Sequence, residues 1–334
     1  MTDPTTAPHD PVRSWRHPVP WNPELESQRL VDYHAHVVLP GLEGRAGDLG
    51  PESGVDEHGC PWFRVGSYRL EGVHYPGTAF THLDLRLAAM DALGISAQVL
   101  SPNPLTYFHH IDASTAAALS RWHNDELAAL VAEVPDRLAG FAQVPIQAPD
   151  LAAVETQRAV RDLGLVGPYL GTQVGRDLDD PALDDVWQCC TELDVPVFLH
   201  PGIHGTDGPA LDPRLARFDL ELTLGFLYEE TVAVAQLVFG GVLHRHPDLR
   251  VCLSHGGGAV AWLRERWQRA VEVRAWVPEF LREPGAFDAQ LGQLWFDGHT
   301  GGPESLGVLR RSVGSDHLTY GSNLAGWDAP RPAG

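Results

Sequence analysis

Leu30-Val31-Asp32-Tyr33-His34-Ala35-His36-Val37-Val38 is the stretch on which the fold turns. It opens as a short apolar strand and ends in a pair of histidines rather than in a glycine-rich turn. An open doubly wound sheet would carry that turn after its first strand, so its main signature is missing. In extended backbone, side chains at i and i+2 leave the same face, so both imidazoles project together. Seven further apolar runs, at 97–101, 138–144, 166–170, 195–200, 249–254, 294–297 and 318–321, join the first at 30–34. Helix-like stretches lie between them, at 83–93, 113–134, 152–163, 181–193, 223–244 and 260–275. Strands alternating with helices in one chain predict an α/β fold, a parallel (β/α)₈ TIM barrel.

Two irregularities qualify that barrel. The connection 37–82 is far longer than an ordinary loop of this kind and reads as an insertion lining a site. At the other end, thirteen residues remain beyond Gly321, so the final helix is expected to be missing or truncated, or its place taken by another segment such as the N-terminal tail. Residues 1–29, rich in proline and without periodicity, read as an extended tail or a segment draped over the surface, and 30–334 as one barrel domain.

The chain has 334 residues and a formal net charge of −20, with no lysine at all among its 24 basic residues. Such acidity argues against binding nucleic acid. The missing lysine excludes Schiff-base chemistry, a phosphate-loop lysine and a carboxylated lysine bridging two metals, which limits the chain to one metal. Cys60, Cys189, Cys190 and Cys252 show no pairing pattern, and no signal peptide or membrane-spanning apolar run is evident, so a cytoplasmic, non-membrane protein is expected.

In a barrel of this type, chemistry sits where strands end. His34 and His36 close the first strand, His200 the fifth (Val-Phe-Leu-His-Pro-Gly) and His255 the sixth (Leu-Ser-His-Gly-Gly-Gly). Each alone is commonplace; the joint pattern of four imidazoles at one rim predicts a centre for a borderline divalent metal such as zinc. Tyr107 and Phe108, after the second strand, suit either an aromatic wall or core packing.

These motifs, with Met90-Asp91, Glu230-Thr231, Phe239-Gly240-Gly241-Val242 and His255-Gly256-Gly257-Gly258-Ala259, resemble the amidohydrolase superfamily. The likeness is to its mononuclear branch of decarboxylases like that of 2-amino-3-carboxymuconate-6-semialdehyde. The resemblance implies one divalent ion, zinc or manganese, held by His34, His36 and His200, with His255 as the acid–base residue. It implies that Arg64, with Arg69 as a competitor, and Arg274 bind a substrate carboxylate, Arg274 reaching across a homodimer. Where that branch has an aspartate after the eighth strand, this chain has Asn323, whose carbonyl can bind a metal but carries no charge and cannot act as a base. Asp328 and Asp297 are candidate replacements. The expected function is a metal-dependent non-oxidative decarboxylase (a carboxy-lyase) of an unsaturated or aromatic carboxylic acid. A hydrolase of a lactone, amide or ester is the alternative, and a degenerate, non-catalytic barrel a third reading.

Overall fold

A computed structural model describes residues 15–25, 28–324 and 326–329. Strand β1 (Leu30–Val37) is followed, inside the long connection, by a small antiparallel sheet of β2 (Glu52–Val55), β3 (Pro61–Val65) and β4 (Tyr68–Glu71). The remaining strands are β5 (Ile95–Pro102), β6 (Leu138–Gly140) running on past Phe141 as β7 (Ala142–Gln143), β8 (Pro168–Leu170), β9 (Val197–Leu199), β10 (Val251–Leu253), β11 (Leu294–Asp297) and β12 (Leu318–Thr319). All pair in parallel, as β1-β5-β6 and as β7 through β12 in sequence order. Backbone bonds join the two groups on both sides. Phe141 N donates to Leu100 O and Val166 N to Gly140 O, at 2.7 and 2.8 Å; opposite them, Tyr33 N donates to Tyr320 O and Asn323 N to His34 O, at 2.9 and 2.8 Å. This is the expected α/β barrel of parallel strands.

A buried carboxylate fastens the second of these seams. Asp32 accepts from the backbone N–H groups of His34 and Ser322 through Oδ1, and from Gln98 Nε2 and Ser322 Oγ through Oδ2. One side chain on β1 thereby ties β1 to β5 and to the turn after β12.

Helices Leu83–Ala92, Ala113–Ala132, Pro149–Arg161, Asp184–Glu192, Phe226–Phe239, Val260–Val273 and Pro303–Val313 follow the first seven barrel strands in turn; among the described residues none follows β12. The single helix expected over 223–244 is divided. A π-helical turn (Glu221–Gly225) leads into Phe226–Phe239, and Gly241, at φ 77°, starts a separate turn Val242–Arg245. By length and apolarity the stretch Glu221–Phe239 could cross a membrane (19 residues, mean hydropathy 1.3), contrary to the sequence reading. Burial of Ala233, Val234, Leu237 and Val238 against the barrel gives that apolarity a structural use.

The barrel interior is packed by Val31, Tyr33, Ala97, Val99, Phe141, Tyr169 and Phe198, while Ala35, Val37, Leu100, Leu199 and Leu253 pack outward against the helices. On β1 the inward positions change parity, from Val31 and Tyr33 to His34 and His36. The cause is a register irregularity against β5 between Asp32 and Ala35, which re-aims the end of the strand. The part of the N-terminal segment that is described is packed rather than free. Trp15 is 1% exposed and joins the interior cluster, Trp21 N donates to Leu318 O at 2.7 Å, and Glu24 pairs with Arg310 at 2.9 Å. Residues 21–25 therefore lie along β12 and the last helix; residues 1–14 are outside the described part.

Candidate active site

His34, His36 and His200 are all buried, and one nitrogen of each lies within 4.8 Å of the others. Their outward nitrogens are spoken for. His34 Nδ1 bonds Asp297 Oδ2 at 2.7 Å, His36 Nδ1 bonds Pro102 O at 3.1 Å, and His200 Nδ1 bonds Pro201 O at 2.7 Å. A carbonyl or carboxylate oxygen only accepts, so each Nδ1 carries the proton and each Nε2 keeps a lone pair. Burial first, and the neighbouring histidines second, push His34 and His200 well below the usual imidazole range. Burial pushes His36 down to about 3. The three rings are thus neutral. His34 Nε2 is buried with no hydrogen-bond partner, which is the arrangement a metal ion completes.

His255 stands beside this group, its ring centroid 5.0 Å from that of His34 and 4.9 Å from that of His200. Burial would lower its pKa, but the charge of fully buried Glu230 and the 3.0 Å bond from His255 Nδ1 to Glu230 Oε1 raise it to about 9. Glu230 also accepts from Ser254 Oγ, so two groups at the end of β10 fix it. The site therefore contains three neutral imidazoles and one held as imidazolium.

The turn behind His255 needs its glycines. Gly257 and Gly258 both have φ 69°, and a Cβ on Gly258 would lie 2.1 Å from Leu227 O. Gly256-Gly257-Gly258 thus packs the β10 turn against neighbouring elements, as expected of a tight turn beside the site.

A cavity opens over His36, His200 and His255; Asn323, at φ 47°, lines it and donates from Nδ2 to Asp328 Oδ1 at 2.6 Å. Asp328 Oδ2 accepts from His299 Nε2 at 2.9 Å. Burial raises the Asp328 pKa, but the bond from His299, its charge and the bond from Asn323 outweigh this and hold it at about 2. The two candidate replacements for the missing aspartate therefore have other tasks. Asp297 orients His34 from behind, and Asp328 holds the Asn323 amide. His299 is an addition to the expected set: it sits two residues past the end of β11, not at a strand end, yet its ring lies 5.2 Å from that of His34. Tyr107 is buried with its hydroxyl 3.3 Å from His200 Nδ1, so it supports a metal-facing ring, while Phe108 packs in the core.

The arginine expectations fare differently. Arg64 is on β3, where its guanidinium pairs with Glu52 at 2.9 Å and donates to Asp48 O and Gly66 O. Antiparallel pairing sets Arg64 opposite Glu52, and Arg64 does not line the cavity, so its expected role as a carboxylate binder is corrected. Its competitor Arg69 is no better placed, since it pairs with Glu71 and lies over the Trp62 ring at 4.2 Å. Arg274 caps the helix Val260–Val273, is exposed, and lies away from this chain's cavity.

Among curated proteins, the chain is 29% identical over 255 residues to 2-amino-3-carboxymuconate-6-semialdehyde decarboxylase of Dictyostelium discoideum, covering 75% of this chain and 67% of the relative. It is 34% identical over 206 residues to gamma-resorcylate decarboxylase of Rhizobium sp. (strain MTP-10005), covering 58% of this chain and 60% of the relative. Among solved structures it superposes on apo IDCase of Metarhizium anisopliae with a TM-score of 0.75 at 24% identity, over 90% of this chain and 85% of the other, a likeness of fold. The chain thus resembles decarboxylases in sequence and a solved barrel in fold. Since residues 31–334 match the amidohydrolase family across that whole barrel, the chain belongs to the amidohydrolase family.

Proposed function

We propose that the chain is a metal-dependent decarboxylase that removes CO₂, without oxidation, from an aromatic or unsaturated carboxylic acid. The observation that carries this reading is His255, bonded through Nδ1 to buried Glu230, beside three histidines whose outward nitrogens are already bonded. His34, His36 and His200, with the Asn323 carbonyl as a neutral fourth ligand, would hold a divalent ion. That ion supplies Lewis-acid polarisation of the substrate oxygens when bound. Three imidazoles favour zinc over manganese.

The chain's own residues then divide the work. His255 gives its Nε2 proton to the substrate carbon as the bond to the carboxylate breaks; the bond's electron pair stays on that carbon and CO₂ leaves neutral. Glu230 stabilises the imidazolium until that moment. Asp297, Pro102 O and Pro201 O keep the other three rings from rotating. Asn323 supplies no base, which disfavours the hydrolase reading.

His255→Ala is expected to lower CO₂ release by ~10²–10⁴-fold, the usual value of a positioned acid, with metal content unchanged by elemental analysis. Loss of metal in that variant would instead make His255 a ligand. Full metal loading with no turnover of any carboxylic acid by the unmodified chain would favour the non-catalytic barrel.

We further propose a cytoplasmic homodimer with exposed Arg274 at the subunit contact. Unpaired thiols at all four cysteines support a reducing compartment, and sedimentation of Arg274→Ala tests the contact.

A further inference from the structure

We infer that the preferred substrate carries a single carboxylate on an extended, apolar body, a ring bearing an alkyl chain or fused to a second ring, rather than a small dicarboxylic acid. The inference deepens the decarboxylase reading and rests on it.

The cavity that opens over the histidines holds about 1120 Å³. Sites for drug-sized ligands run to roughly 300–1,000 Å³, so a one-ring acid would leave much of this one filled with water. Its walls are apolar, with many aromatic rings: Phe226 stands beside His200 and His255, and Tyr75, Phe80, Trp262 and Trp327 line the rest, with Leu70 from the inserted sheet. Such surface gains by contact with a hydrocarbon body and gains nothing from a second carboxylate.

Charge points the same way. Among the described residues no arginine lines the cavity, whereas Asp219, Glu304 and Asp328 do. The two arginines of the inserted sheet are turned to other partners, Arg64 to Glu52 and Arg69 to Glu71. A dianionic ligand that set one carboxylate at the histidines would therefore place its second charge among carboxylates and apolar walls, with no arginine among the cavity's described lining residues to meet it.

The test uses binding rather than turnover, so that it stands apart from the decarboxylase reading. Dissociation constants of the zinc-loaded full chain are measured by calorimetry for resorcinol, 5-propylresorcinol, 5-pentylresorcinol and 1,3-dihydroxynaphthalene, with isophthalate as the dicarboxylate. Burying each added methylene should tighten binding by up to roughly fourfold, and the pentyl compound should bind a hundredfold or more tighter than resorcinol. Ala261→Phe narrows the cavity from the helix Val260–Val273, and should cut that ratio at least tenfold. A flat or falling series, or isophthalate binding tighter than the pentyl compound, overturns the inference. A rising series with no CO₂ released from any matching acid upholds the inference and defeats the decarboxylase reading.

Discussion

The two ends of the barrel are built from the same strands and obey different rules. At the end where β1 begins, Val31 and Tyr33 meet Phe141, Tyr169, Phe198 and the indole of Trp15 in a buried apolar plug. At the end where β1 finishes, His34 and His36 meet His200, His255 and His299, and each of these rings is positioned by a carboxylate or a carbonyl. The register irregularity between Asp32 and Ala35 is the border between them. Packing at one end needs volume; chemistry at the other needs fixed nitrogen lone pairs. Residues three apart on one strand, such as Val31 and His34, can therefore be mutated with separate consequences.

The sharpest separation concerns Trp15. Truncating a fully buried tryptophan typically costs about 3–5 kcal/mol, so Trp15→Ala should lower the denaturation midpoint substantially while the folded variant binds metal as tightly as before. Denaturant titration with parallel metal analysis checks both halves. A variant that keeps its stability would show that the N-terminal segment is not part of the plug; one that folds but loses metal would show that the two ends are coupled.

The opposite outcome is expected at Asp297. Partners that orient a metal-binding histidine are typically worth 10–100-fold in metal affinity. Asp297→Asn leaves an amide whose oxygen can still accept from His34 Nδ1, but without charge, so a loss near tenfold in zinc affinity is expected by competition with a chelator. The apolar plug should be unaffected. If affinity does not change, Asp297 serves packing alone and the border between the two ends lies elsewhere.

Much of this division was legible in the sequence. Apolar runs ending in histidine gave β1, β9 and β10 together with the residues that converge, because burial and strand ends leave a local imprint. The spacing of His34 and His36 also predicted their common face correctly. What stayed hidden depends on pairing between distant segments. Glu52-Ser53-Gly54-Val55 has no strand-like alternation of apolar residues, so the antiparallel sheet in the long connection, and with it the loss of Arg64 to Glu52, could not be read. His299 follows its strand at a distance, and its value comes from Asp328, twenty-nine residues on. The roles of Asp297 and Asp328 reverse the expectation for the same reason: which carboxylate faces a metal and which stands behind a ligand is a matter of orientation, and spacing along the chain does not encode it.

A smaller effect than at Trp15 is expected at Asn323, in the turn after β12. Its amide nitrogen is 2.6 Å from Asp328 Oδ1, a contact that a carboxylate makes only with a donor. Asn323→Asp removes the donor and sets two carboxylates against each other. Without metal this should destabilise the chain by about 1.5 kcal/mol, the low end of the value of a hydrogen bond to a charged group, and lower its melting temperature by a few degrees. With metal the added charge should tighten binding and recover the loss. Adding Asp328→Asn to that variant restores a donor opposite the new carboxylate, and should raise the metal-free melting temperature again. If Asn323→Asp leaves the metal-free protein as stable as before, the Asn323–Asp328 contact does not exist in solution. Asp328 would then serve His299 alone, and the Asn323 amide would be fixed by no carboxylate at the functional end.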